Sequence, residues 1–298
     1  MTTQEQTRTR AVWDRRPVTA ALAAASMPAP TAKVKVSDED ELEVWVVGEG
    51  TPVVLVHGAL FWYLLKPLAE ELAKNGDYQA IWYHRRGYNG KPTEPFDVSD
   101  QARDVVKILD ELKISKAHIV GHSAGAPYAL ELAMLVPDCL LSAAMLDFTF
   151  SNPQVEPGAM IQELAGPSVA KAQTGDFEGA ATDFLAALGA TKEVMERALP
   201  GSWSDMVKDA PTWFQVDLAA LSEWTADPAK VKAIDVPIAF LSVGEAGPIH
   251  QTGKLLKKWQ PKLTMLEIST DDHFFPVTAT AEGAALIDNW IRSQGTAN

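Results

Sequence analysis

One serine in this chain sits where its hydroxyl could do covalent chemistry. Ser123 lies between glycines in Gly121-His122-Ser123-Ala124-Gly125. A serine hydroxyl is a weak nucleophile until a neighbouring base takes its proton. The five-residue pattern alone also fits a tight turn with no chemistry, so context must separate the two readings. An apolar run, HIVGHS, precedes the serine and a helix-like run, AGAPYALELAMLVP, follows it. A sharp strand-to-helix turn strains the serine backbone and lifts its hydroxyl above the sheet, at the positive end of the helix dipole. A larger residue at Gly121 or Gly125 would collide with the turn or a neighbouring strand. A purely structural turn needs none of this. His118 and His122 are four apart, a spacing that suits a metal on a helix. Along a strand they stand roughly 13 Å apart, so the metal pair is rejected. Nothing else has zinc or phosphate-loop spacing.

The elements that must hold Ser123 follow from hydrophobic patterning. KVKVSDEDELEVWVVG (33–48) alternates around an acidic turn and predicts a β-hairpin. PVVLVHG (52–58) is an unbroken apolar run, a strand buried on both faces. Residues 61–74 predict a helix ending at Asn75-Gly76, and QAIWYH (79–84) a strand. SDQARDVVKILDELKI (99–114) predicts a helix with Ser99 as its cap. After the serine and its helix, LSAAMLDF (141–148) predicts another strand. Strand and helix alternate to this point, which implies a parallel sheet with crossover helices. From about 151 to 232 the strand signal fades into helical pieces. Alternation resumes with VPIAFLSVG (236–244), a helix near 248–259, LTMLEIS (263–269) and a closing helix near 279–293. The expected organisation is an N-terminal arm (1–32), a first core segment (33–150), a helical cap (151–232) and a second core segment (233–298).

Composition narrows the function classes. The chain has 298 residues, 47% hydrophobic and 22% charged, which fits a globular protein with a sizeable core. Its net charge of −13 argues against nucleic acid or an anionic membrane as a partner through bulk charge. No apolar run approaches the roughly 18 residues of a membrane span. The lone Cys139 cannot form an intramolecular disulfide and implies no oxidising compartment. The basic stretch RTRAVWDRR and the following VTAALAAAS faintly resemble an export signal, but the apolar part is short and no clear cleavage site follows. A cytoplasmic location is expected, and the oligomeric state is left open.

The chain resembles the α/β-hydrolase family over about residues 33–295. GHSAG looks like the family's nucleophile elbow. His57-Gly58 ends the third strand, where the family builds half of its oxyanion hole. His84-Arg85-Arg86-Gly87-Tyr88-Asn89-Gly90 resembles the family's D-x-R-G-x-G turn, with His84 in place of the usual aspartate. His273, in STDDHFF, follows the last strand, where the family keeps its base. The resemblance implies a mostly parallel eight-stranded sheet with flanking helices and an inserted all-helical cap. It implies Ser123 as nucleophile, His273 as base, and the Ala59 and Ala124 N–H groups as oxyanion donors. It implies no cofactor.

The acid is less plain. The family's V-G-x-x-D pattern reads Val243-Gly244-Glu245-Ala246-Gly247 here, so glycine stands where aspartate is usual. Asp147, ending the sixth strand in MLDFTF, is the preferred replacement, and Glu245 is the alternative. Asp271 and Asp272 are read as loop acids, His57 as a structural hydrogen-bonding residue and His250 as a surface residue. Nine aromatic residues (Phe61, Trp62, Phe148, Phe150, Trp203, Trp213, Phe214, Trp224 and Phe274) fall in loops and helical pieces around the site. Trp62, Phe274 and His122 are the expected substrate contacts, which points to a small apolar substrate. The leading expectation is a serine hydrolase of an ester, lactone or thioester. The alternatives are a carbon–carbon bond hydrolase of the same fold and a non-catalytic or slow-turnover ligand sensor.

Overall fold

The structure, a computed structural model, describes residues 27–91, 93–150, 157–198 and 200–295. The strands are β1 (Ala32–Lys35), β2 (Glu41–Val47), β3 (Thr51–Val56), β4 (Tyr78–Tyr83), β5 (Ala117–His122), β6 (Leu140–Leu146), β7 (Ile238–Leu241) and β8 (Thr264–Leu266). They form one eight-stranded sheet in the order β1-β2-β4-β3-β5-β6-β7-β8. β1 with β2 and β2 with β4 are antiparallel, and every other pair is parallel. Val53 to Val56 are fully buried, as an unbroken apolar strand covered on both faces requires.

The register positions the site. Val56 pairs with Gly121, His122 with Leu146, Leu146 with Leu241, and Leu241 with Leu266. The chain therefore leaves β3, β5 and β6 at one level, and His57, Ser123 and Asp147 emerge side by side. Carboxyl ends of strands in an open α/β sheet are where ligands bind.

The helices of the first half are α1 (Lys66–Ala73), α2 (Val98–Glu111) and α3 (Ala126–Leu135). Between β6 and β7 the described chain is helical: α4 (Pro157–Gln173), α5 (Phe177–Ala187), α6 (Lys192–Ala198), α7 (Ser202–Thr212), a π turn (Trp213–Asp217), α8 (Leu218–Glu223) and α9 (Pro228–Lys232). The chain closes with α10 (Gly247–Trp259), α11 (Phe275–Thr278) and α12 (Thr280–Ser293). Among the described residues no helix is long and apolar enough to cross a membrane.

Several local expectations shift. The helix expected from residue 61 begins only at Lys66. Leu60 is left-handed (φ 67°), and Pro67 favours a helix start there, since a first turn needs no proline N–H. The cap of α2 is Asp97 rather than Ser99: its carboxylate accepts from the Asp100 N–H, and the Asp100 side chain accepts from the Asp97 N–H. Ser99 instead donates its hydroxyl to Asp97. The arm expected over 1–32 lies outside the described residues up to residue 26. Beyond it, Pro28 accepts from Trp45 Nε1 (2.8 Å) and Thr31 N–H donates to Val44 O (2.7 Å), so this stretch lies on β2.

The helical segment after β6 docks on the turn at residues 85–90 through polar contacts. Thr212 donates its hydroxyl to Gly87 O, and the Asp209 carboxylate accepts from Gly90 N–H at 2.7 Å. The other Asp209 oxygen is buried without a hydrogen-bond partner. Burial pushes this carboxyl up to about 7, against the hydrogen bonds from Gly90 and Asn89. An unfolded aspartate titrates near 3.9, so between about pH 4 and 7 the folded chain holds more protons at this group. Its contribution to stability is full below that window and is lost as pH rises through about 7. Asp209→Asn keeps an acceptor for Gly90 without the titration. The unfolding free energy of the variant minus wild type should rise between pH 5 and 8, by on the order of 2 kcal/mol. Denaturant titrations at both pH values check this, and a constant difference contradicts it.

Candidate active site

The turn after β5 is built by two close approaches. A Cβ on Gly121 would lie 2.4 Å from Gly125 O, and one on Gly125 would lie 2.1 Å from Val56 O. Only glycine at both positions lets the start of the helix sit against β3. Ser123 takes φ 53°, a left-handed conformation costly for a side-chain-bearing residue. A short 3-10 turn (Ser123–Gly125) leads into α3. Ser123 and Ala124 are half-buried, while their neighbours His122 and Gly125 are buried.

A chain of hydrogen bonds runs from this serine. Ser123 Oγ lies 3.0 Å from His273 Nε2, and His273 Nδ1 lies 2.6 Å from Asp147 Oδ2. Asp147 also has positive φ (53°), and its other oxygen accepts from Val243 N–H at 2.9 Å. The carboxylate is fully buried, whereas the His273 ring keeps 15% exposure. Water can therefore reach the histidine but not the acid. Glu245, the alternative partner for His273, is exposed, and the hydrogen bond to His273 comes from Asp147.

The loop carrying His273 is pinned from two sides. Asp272 accepts from Phe274 N–H and from the Thr278 hydroxyl, which fixes the start of α11. His122 Nε2 donates to His273 O at 2.9 Å. Burial, with His273 nearby, lowers the His122 pKa, so its ring is neutral. A carbonyl can only accept, which puts the proton on Nε2 and leaves Nδ1 as an acceptor, buried without a partner.

His57 and His84 are structural. His57 Nε2 accepts from Arg85 N–H (3.0 Å), so Nδ1 bears the proton it donates to Gly58 O (2.7 Å). Burial, then the neighbouring Arg85 charge, lowers its pKa and keeps it neutral. His84 is lowered to about 4 by burial, and its Nε2 accepts from Glu43 N–H. It therefore joins the turn to β2 as a neutral ring. His118 pairs with Ser142, and His250 is half-buried rather than fully at the surface. Among the described residues no group of three or more His, Cys, Asp or Glu side chains is placed to hold a metal.

Ser123 opens into a small cavity of about 270 Å³, its mouth included, lined by Gly58, Ala59, Leu64, His122, Ser123, Phe184, Leu185, Leu188, His273 and Phe274. Phe274 and His122 stand where substrate contacts were expected. Trp62 does not. It is buried, stacked on Trp45 (4.9 Å) and edge-on to Tyr63 and His84. Its side chain turns toward β2 and away from the serine, and Leu64 lines the cavity in its place. The other expected aromatics are likewise absent from the lining: Phe148 and Phe150, for example, cluster with Phe240, Trp224 and Trp259. Phe184, Leu185 and Leu188, at the end of α5, were not expected there. Their helix keeps Glu178 and Thr182 exposed and buries Ala180, Ala181, Phe184 and Leu185, but periodicity alone does not say which neighbour that apolar face meets.

A family model described as the alpha/beta hydrolase family matches residues 53–286, more than half of the chain. The chain belongs to the α/β-hydrolase family. A putative carbamate hydrolase RutD of Caulobacter segnis is 36% identical over 109 residues, 34% of this chain. The match spans only 39% of that relative's own length. An α/β hydrolase from Sphaerobacter thermophilus superposes with a TM-score of 0.67 at 25% identity, covering 87% of this chain and 99% of the other. An enol-lactonase from Burkholderia xenovorans LB400 superposes with a TM-score of 0.66 at 18% identity, with the same coverage, and shares the fold.

Because Gly125 faces backbone, which cannot step aside, Gly125→Ala should lower the unfolding free energy by about 2 kcal/mol or more. Wild-type stability in a denaturant titration would contradict the close-approach account.

Proposed function

We propose that this protein is a cofactor-free serine hydrolase that cleaves an ester, lactone or thioester of a small apolar molecule. The observation that carries the reading is the unbroken link from Ser123 Oγ through His273 to the buried Asp147. Ser123 Oγ lies within hydrogen-bond reach of the His273 nitrogen that takes its proton, and Asp147 holds the ring's other nitrogen.

The steps follow from that link. Ser123 Oγ attacks the substrate carbonyl carbon as His273 Nε2 takes the hydroxyl proton. Asp147 orients the ring and stabilises its charged form without taking the proton. The carbonyl oxygen becomes an oxyanion, held by the N–H groups of Ala59 and Ala124. Ala124 lies in the first turn of a helical run, where backbone N–H groups lack intrahelical partners. One such donor is typically worth about 2.7–4 kcal/mol in the transition state. Collapse expels the alcohol or thiol with the proton from His273 and leaves an acyl group on Ser123. Water, deprotonated by His273, then attacks the acyl carbon and the acid departs.

The lining by Leu64, Phe184, Leu185, Leu188 and Phe274 crowds the serine with apolar groups and favours a short acyl group. A carbamate, as in the name of the relative from Caulobacter segnis, presents the same carbonyl to the serine. The complete hydrogen-bonded chain favours turnover over a purely ligand-binding role. Helices 157–232 act in this reading as a cap, since α5 closes the cavity over the serine.

A fluorophosphonate probe should label wild type and leave Ser123→Ala and His273→Ala unlabelled. Asp147→Asn should lower kcat by about 10⁴, while Glu245→Gln leaves it unchanged. Unlabelled, folded wild type would overturn the reading. In a series of 4-nitrophenyl esters, kcat/KM should fall as the acyl chain lengthens. Leu188→Ala should move the optimum to a longer chain, raising kcat/KM for the longer ester relative to the shortest by about tenfold or more, the usual worth of a methylene in an apolar pocket.

A further inference from the structure

Arg85 is fully buried, and no step above uses it. It touches the end of β3 at three points. Its N–H donates to His57 Nε2 (3.0 Å), its Nε to His57 O (3.2 Å) and its Nη2 to Gly58 O (3.0 Å). Its charge is held from the helical segment after β6. Nη1 and Nη2 donate to the two oxygens of Asp217 at 2.9 and 2.7 Å, a bidentate pair. The Tyr88 and Tyr128 hydroxyls donate to the same carboxylate, one to each oxygen. Both rings also stack on the guanidinium, at 4.8 and 4.7 Å. Burial opposes the Arg85 charge, but the Asp217 carboxylate outweighs it and the pKa is raised. Asp217 ends the π turn that follows Pro211, and such turns are frequent at functional sites.

The Gly58 carbonyl belongs to the same peptide unit as the Ala59 N–H. The peptide is trans, so its C=O and N–H point in opposite directions. Gly58 lies against Ser123: a Cβ there would be 2.9 Å from Ser123 Cβ. Two donors, Arg85 Nη2 and His57 Nδ1, grip the carbonyl end. They fix the plane and thereby the direction of the N–H. A charged donor on a carbonyl also polarises the peptide and strengthens its N–H as a donor.

We propose that Arg85 is a positioning residue that orients and polarises the Gly58–Ala59 peptide as an oxyanion donor, and that Asp217 couples this donor to the docked position of the helical segment. The inference rests on the serine-hydrolase reading. It makes a prediction that simple cap anchoring does not. Anchoring alone would change KM, because α5 lines the pocket. Loss of positioning lowers kcat.

Removing one member of a buried ion pair leaves an uncompensated charge and is strongly destabilising, whereas replacing both by apolar residues is often tolerated. The test therefore compares wild type, Arg85→Lys and the double variant Arg85→Met/Asp217→Leu, each checked for folding by circular dichroism and thermal unfolding. Full removal of an oxyanion donor costs about 10²–10³ in kcat. The folded double variant should lose about 10- to 100-fold in kcat on a short 4-nitrophenyl ester, with KM within about threefold. Its affinity for a trifluoromethyl ketone, which forms an oxyanion on the serine, should weaken by the same factor. Arg85→Lys keeps the charge without the fork and should fall between. A folded double variant with kcat within twofold of wild type, or a change confined to KM, overturns the inference alone. Inactive wild type that neither binds the ketone nor takes the fluorophosphonate overturns the hydrolase reading and this inference with it.

Discussion

The site depends on how closely the first turn of α3 approaches the end of β3. Gly125 packs against Val56 O so tightly that no Cβ fits between them, and Gly121 packs the same way against Gly125 O. This contact compresses the turn and holds Ser123 in its left-handed backbone conformation. It also brings Gly58 against the serine side chain. The remaining geometry follows from register. β5 and β6 end together, so Asp147 emerges beside Ser123. A single loop after β8 then has to deliver one histidine to the gap between them.

Two layers of buried polar groups hold that geometry. The first is the Ser123–His273–Asp147 chain with its supports: the Val243 N–H on Asp147 and the His122 ring on the His273 carbonyl. The second lies behind it. His57 and Arg85 bind the carbonyl side of the Gly58–Ala59 peptide, and Asp217, itself bonded by two tyrosine hydroxyls, pairs with Arg85. Buried ionic groups rarely add net stability, because desolvation offsets their attraction. The Arg85–Asp217 network is better understood as fixing one arrangement of backbone and helical segment than as a source of stability.

The sheet was legible in the sequence because unbroken apolar strands and amphipathic helices leave different periods. The elbow was legible because its glycines and serine are consecutive. Asp147 could be preferred over Glu245 because it ends a strand, and the structure places it on His273. What was hidden depended on side-chain direction or on distance along the chain. Trp62 is two residues from Leu64, yet one ring stacks on Trp45 while the other side chain lines the cavity. Arg85 and Asp217 are 132 residues apart, and no local pattern links them. The histidine at position 84 had no evident role until β2 supplied the Glu43 N–H that its ring accepts.

As nucleophile, Ser123 would carry the acyl group during turnover. The most direct test is to acid-quench the protein during steady-state turnover of a short 4-nitrophenyl ester and analyse it by mass spectrometry. An adduct with the mass of the acyl group, mapped to Ser123, is expected, with no turnover above background by Ser123→Ala. An adduct confined to another residue, or undiminished turnover by Ser123→Ala, would contradict it.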